Sequence, residues 1–149
     1  MKGAERFSYI VGSCFGRFIV RWFNAFPRFV IPGVFGDKRK LSKLAHQHYI
    51  KPFPTRASRQ GMWVLAKAII GESDWLASLW EKRARLADKP VLILSGLSDP
   101  TFGPEKLARW QEAFPNHTTL IWQDVGHFVP EELGTEAVAP VAAFLEGGI

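Results

Sequence analysis

Lys89-Pro90-Val91-Leu92-Ile93-Leu94-Ser95-Gly96-Leu97-Ser98-Asp99-Pro100 is the stretch that decides the fold. An apolar run without polar alternation ends in Gly96 and leads into Ser98-Asp99-Pro100, a turn signal. This reads as a strand buried on both faces, followed by a tight loop. Further along, Thr118-Thr119-Leu120-Ile121-Trp122 repeats the strand signature and runs into Asp124-Val125-Gly126-His127-Phe128. Between the two, Pro104 to Phe114 has the pattern of a helix, so the unit is strand–helix–strand with a right-handed crossover expected. The fold class is therefore α/β with parallel strands. Asp99 and His127 both fall at the carboxyl ends of those strands, where open α/β sheets carry their chemistry.

A carboxylate that orients an imidazole supplies the acid and the base of a hydrolytic triad. The third member, a nucleophile on a tight Gly-x-Nu-x-Gly elbow, has no Asp or Ser form in this sequence. The nearest match is Gly12-Ser13-Cys14-Phe15-Gly16, preceded by Phe7-Ser8-Tyr9-Ile10-Val11. Taken at face value that is a strand, an elbow bearing Cys14 and a helix, in the right chain order with Asp99 and His127. Arg17, however, stands where such an elbow needs a small residue, and packing is the more ordinary role for Cys14. A thiolate attacking a saturated carbon would also leave a thioether that water does not hydrolyse, so Cys14 could support ester chemistry only. Asp124 is a rival acid, but its place before Val125-Gly126 marks a strand-end turn. His46 and His48 lack the carboxylate or thiol partners of a metal site and read as surface or packing residues. His117 is expected in the loop before the second strand. No metal or cofactor is implied.

Charge divides the chain. Residues 1–89 carry seventeen Lys/Arg against six Asp/Glu, net +11, and residues 90–149 carry two against eight, net −6. The basic residues are scattered and no nucleic-acid-binding signature accompanies them, so nucleic acid is not an expected partner. A single cysteine excludes an internal disulfide framework and fits a reducing compartment. No apolar run long enough to span a bilayer occurs. The expected localisation is cytoplasmic, with no membrane partner.

Upstream of the strands the periodicity is helical. Phe15, Phe18, Ile19, Trp22, Phe23 and Phe26 define a first helix bounded by Pro27. Further helices are expected over 37–50, 58–70 and 74–87, the last capped by Ser73, with a closing helix over 135–145. The order is helices first, then β-α-β-α. Two parallel strands do not make a stable sheet alone, because parallel sheets bury both faces. The expectation is a truncated chain: a helical region over 1–88 and the last βαβα part of a larger core over 89–149. Its early strands, oxyanion donors and nucleophile would lie elsewhere.

The pattern Gly96-Leu97-Ser98-Asp99-Pro100, helix, strand, Gly126-His127-Phe128-Val129-Pro130-Glu131-Glu132 resembles the end of α/β-hydrolase fold enzymes, most closely the haloalkane dehalogenase branch. His48-Tyr49-Ile50-Lys51-Pro52-Phe53-Pro54 followed by Ser58-Arg59 is similar to the helical cap of that branch. The resemblance implies an α/β-hydrolase represented by its cap and C-terminal βα units, with Asp99 as triad acid and His127 as base. It implies cofactor-free hydrolysis of a small apolar substrate, and it makes a separate N-terminal half of the same enzyme the expected partner. Trp22, Trp63 and Trp75 become candidates for lining an apolar pocket. In the same alignment the segment from Gly12 is the entry to the cap, not an elbow. Two rivals remain: a non-catalytic membrane-surface or binding module built on Phe15 to Phe26 with Arg17, Arg21 and Arg28, and a small esterase using Cys14, His127 and Asp99.

Overall fold

Strands β1 (Val91–Gly96) and β2 (His117–Trp122) pair in parallel, in a register that sets Val91 opposite His117 and Gly96 opposite Trp122. Helix α7 (Pro104–Ala113) connects them, starting on Pro104, whose missing N–H costs nothing at a helix N-terminus. The computed structural model describes residues 2–147. Their contacts divide the chain into two units, one of residues 1–33 and 41–80, the other of 34–40 and 81–149. The linear division at 88/89 is drawn differently: the short segment 34–40 belongs with the strands.

In the first unit, α1 (Lys2–Gly12) packs on α5 (Gln60–Gly71), and α2 (Cys14–Phe23) on both. The buried Ser8 hydroxyl donates to the Ala66 carbonyl at 2.8 Å, and Trp63 Nε1–H to Gly12 at 3.3 Å. Residues 7–11 are therefore helical, and the strand required for a Cys14 elbow is not there. Gly12 and Cys14 instead flank a helix–helix junction, where the Ser13 hydroxyl caps α2 by accepting from Gly16 N–H at 3.1 Å.

The helix begun at Cys14 stops before Pro27. Asn24 takes the left-handed conformation (φ 53°), which Asn tolerates better than most residues, and its amide donates to the carbonyls of Ile50 and Phe53. The chain then runs through a π-helical turn (Phe26–Val30) into α3 (Ile31–Gly33). His46 Nε2 meets the Pro27 carbonyl at 2.8 Å, which is a packing role. Helix α4 (Lys43–Ile50) starts later than the expected residue 37, because Ser42 caps it and Asp37 instead accepts from the N–H and guanidinium of Arg39. Ser73 does not cap the next helix. It lies within α6 (Ser73–Glu81) and donates to Ile70 at 2.7 Å; residues 82–86 then tighten into a 3₁₀ turn.

In the second unit Val125, Val129, Leu133 and Ala137 form the buried core, with Leu94 and Trp122 packed against it. The expected closing helix over 135–145 opens as a 3₁₀ turn (Gly134–Ala137) and becomes α-helical at α9 (Val138–Leu145); a separate short helix not expected from the sequence, α8 (Val129–Leu133), precedes it and ends at Gly134 (φ 56°). His117 opens β2 instead of lying in the preceding loop, its Nδ1 meeting the Phe114 carbonyl at 2.7 Å. Among the described residues no helix is long and apolar enough to cross a membrane.

Candidate active site

The loops after β1 and β2 lie against each other because glycine lets their backbones touch. A Cβ on Gly96 would fall 2.6 Å from the Gly126 carbonyl oxygen and closer still to that of Val125. One on Gly36 would lie 2.5 Å from the Asp124 oxygen and 2.7 Å from the Gly126 nitrogen. Gly126 is enclosed in the same way by Val34, Phe35 and Gly36. These three close approaches bring the ends of both strands and the 34–36 segment together. Hydrogen bonds then fix them: Leu97 N–H to Trp122 at 2.9 Å, Ser98 N–H to Val125 at 3.0 Å and His127 N–H to Val34 at 2.9 Å.

The two residues marked out in the sequence meet on this platform. His127 Nδ1 lies 2.9 Å from Asp99 Oδ2. The Asp99 side chain is only 7% exposed, whereas that of His127 is 36% exposed. Thr101 completes the arrangement: its N–H and its hydroxyl both reach Asp99 Oδ1 at 2.7 Å, and Oγ1 also lies 3.0 Å from His127 Nδ1. A hydroxyl has one proton to give. If Thr101 spends it on Asp99, Oγ1 can only accept from His127, so both contacts require the proton to sit on Nδ1. In the neutral ring Nε2 then carries the free lone pair, the tautomer a general base needs.

Electrostatics agree with an ionised Asp99. Burial pushes its carboxyl upward and is the strongest single influence. The hydrogen bonds from the Thr101 hydroxyl and N–H, and then the bond and charge of His127, together outweigh burial and hold Asp99 below the ordinary value of 3.8. The imidazole is framed by Phe102, 5.9 Å away between ring centres, and by Phe128, edge-on at 5.2 Å. Phe128 packs in turn, tilted by 40°, against the buried Phe35. Lys106 Nζ donates to the Thr101 carbonyl and lies over the Phe102 ring, bracing the Asp99 loop.

Two contributors escaped the sequence reading. Thr101 had a signal, since Asp side chains commonly bond the N–H two residues on. Glu132 had none beyond its place in the Gly-His-Phe motif. It is a buried carboxylate that accepts backbone N–H bonds from Gly36, Asp37 and Gly126. Cys14 is exposed, and Trp22 and Trp75 are half exposed; all three belong to the first unit.

A cavity of about 390 Å³ opens beside the pair, lined by Val91–Gly96, Asp99, Phe102, Leu107, Trp110, His127 and Val129. It follows the whole of β1, which among the described residues is paired on one side only. That makes it a strand-length groove with Asp99 and His127 at its end.

Known proteins resemble this chain in sequence and in fold. A family model described as alpha/beta hydrolase fold matches residues 9–132. Haloalkane dehalogenase 2 of Mycobacterium tuberculosis and that of Mycobacterium bovis are each 28% identical over 139 residues, covering 92% of this chain and 48% of theirs. Among solved structures, the haloalkane dehalogenase DbeA from Bradyrhizobium elkani superposes with a TM-score of 0.79 at 23% identity, over 99% of this chain and 52% of the other. DatA from Agrobacterium tumefaciens, also a haloalkane dehalogenase, gives 0.79 at 22% identity, over 100% and 53%. The chain thus spans about half the length of the curated relatives it matches.

Proposed function

This chain belongs to the alpha/beta hydrolase fold family, and we propose that Asp99 and His127 are the acid and base of a haloalkane dehalogenase-like hydrolytic site. The observation that carries the reading is the 2.9 Å contact between His127 Nδ1 and Asp99 Oδ2, with Thr101 Oγ1 within 3.0 Å of both partners. In the proposed reaction a carboxylate nucleophile displaces halide from a small apolar substrate and becomes an alkyl ester. His127 Nε2 takes a proton from water, the hydroxide attacks the ester carbonyl, and alcohol and free carboxylate result. Asp99 stabilises the imidazolium formed on the way. No cofactor enters this chemistry.

The nucleophile and oxyanion donors are not among the motifs of these 149 residues, and the partner we propose is a polypeptide that carries them. Support comes from the groove along β1. Among the described residues no strand pairs with the other edge of β1, and such an edge is the kind a further parallel strand adds to. The first unit is the proposed cap. Acting alone, the chain is expected to release no halide, since a base without a nucleophile contributes little.

The test is to co-express this chain with the nucleophile-bearing half of a dehalogenase such as DbeA and to follow halide release from a short bromoalkane. Release that disappears with His127→Ala supports the reading; release indifferent to that substitution ends it. Hydrolysis of an activated ester by the chain alone, abolished by alkylating Cys14, would transfer the nucleophile to Cys14.

One observation favours a second reading, a membrane-surface module. The first unit carries ten Lys/Arg against three Asp/Glu, net +7, and exposes Tyr9, Phe15, Trp22, Phe23 and Phe29. Salt-sensitive binding to anionic liposomes by a monomeric chain would select it.

A further inference from the structure

We infer that Glu132 is a positioning residue for His127, its carboxylate clamping the backbone from which the imidazole projects; the inference rests on the acid–base reading of the Asp99–His127 pair. Glu132 is 6% exposed. A carboxylate so buried is costly unless its oxygens are satisfied. Here backbone amides do it: Gly126 N–H donates to Oε1 at 2.8 Å, Asp37 N–H to Oε2 at 3.2 Å, and Gly36 N–H to both oxygens at 3.1 Å. The donors come from two separate stretches of chain, and one of them immediately precedes His127.

The consequence is a two-point anchor. His127 N–H bonds directly to the Val34 carbonyl, and Gly126 N–H reaches the same 34–37 segment through Glu132. The two peptide planes that flank Gly126 are fixed, and with them the point at which the His127 Cα enters the site. The opposite end of the ring is held by Asp99 and Thr101. A small displacement of a reacting group is enough to cost a large share of rate. The site therefore depends on a group that touches neither substrate nor ring.

The chemistry also says why the residue is an acid. Three N–H donors converge on it, and only a carboxylate presents two oxygens that accept without donating. A glutamine of the same length would turn an NH₂ group toward an N–H.

The test uses the full chain, labelled for NMR, with and without Glu132→Gln. Two readouts are taken: hydrogen exchange at the Gly126 and Gly36 amides, and the low-field Nδ1–H resonance of His127 bonded to Asp99. We expect exchange to quicken by about tenfold or more, the change expected for losing a charge-assisted hydrogen bond, and the Nδ1–H signal to disappear while far-UV circular dichroism is kept. A folded Glu132→Gln chain with both readouts unchanged overturns the inference. If Glu132→Gln does not fold, the same readouts on Glu132→Asp decide: joint losses support the clamp, unchanged signals refute it. Asp99→Asn separates the two readings, because it removes the Nδ1–H signal and leaves the Gly126 amide protected. Should Asp99→Asn leave the signal in place, it is the pair that fails, not the clamp.

Discussion

Ser98 donates its backbone N–H to the Val125 carbonyl at 3.0 Å, which ties the loop carrying Asp99 directly to the loop carrying His127. The bond exists only because Gly96 has no side chain: a Cβ there would meet the same Val125 oxygen. Gly96→Ala should therefore separate the loops rather than merely crowd them. The expected cost is about 1–3 kcal/mol, the usual range for overpacking, with more where rigid backbone is the obstacle. Urea unfolding of the two chains measures it, and equal midpoints would show that the loops are not held at Gly96.

Asp99→Asn keeps the shape of the side chain and removes its charge. An asparagine can offer its NH₂ to Nδ1, which favours the wrong tautomer and moves the proton to Nε2. In the complemented enzyme kcat is expected to fall on the order of 10⁴-fold, the loss known for triads deprived of their acid, with KM little changed. Asp124→Asn should leave kcat within a few-fold of the parent. The reverse pattern would make Asp124 the acid.

The depressed Asp99 carboxyl sets the sign of an acid effect. Its folded value lies below the ordinary 3.8, so the stability it contributes is fully present above that value and is lost as pH falls through the folded one. Thr101→Val removes one of the bonds that hold the carboxyl down and leaves the Thr101 N–H contact in place. The acid-unfolding midpoint should therefore move to higher pH in Thr101→Val. Thermal melts across the acid range, taken on both chains, check the direction; a midpoint that stays put would mean the hydroxyl does not stabilise the charge.

The strands of the second unit were legible because their signals are local. Val91 to Leu94 and Leu120 to Trp122 are short apolar runs closed by turn residues, and Asp99 and His127 follow them at the ends where α/β chemistry sits. The helix boundaries upstream were less legible, since side-chain bonds decide them: Asn24 ends α2 by reaching Ile50 and Phe53, and Ser73 spends its hydroxyl on Ile70 instead of capping. Residues 7–11 were ambiguous by composition. Their β-branched and aromatic residues suit a strand, but the Ser8–Ala66 bond and packing on α5 make them helical. Glu132 was invisible for a different reason. Its partners Gly36 and Asp37 are 96 and 95 residues away, and no periodicity encodes a backbone amide at that distance.

The aromatic face of the first unit separates the two readings of this chain. Helix α2 is short, yet Phe15, Phe18, Trp22 and Phe23 are each about half exposed or more, and Phe29 beyond it is 68% exposed. A patch of this kind on a monomer marks a surface meant to be covered. If it is the face of a cap, the isolated chain should self-associate through apolar contacts, and salt should strengthen that association or leave it unchanged. If it is a membrane-surface module, Arg17, Arg21 and Arg28 should draw the monomer to anionic vesicles, and salt should release it. Sedimentation with and without phosphatidylserine vesicles, at low and high salt, distinguishes them. The expected result is salt-insensitive oligomers that dissociate on Phe15→Glu together with Phe23→Glu. Vesicle binding lost at high salt, by a chain that stays monomeric without lipid, would instead make the basic-aromatic face a lipid-binding surface.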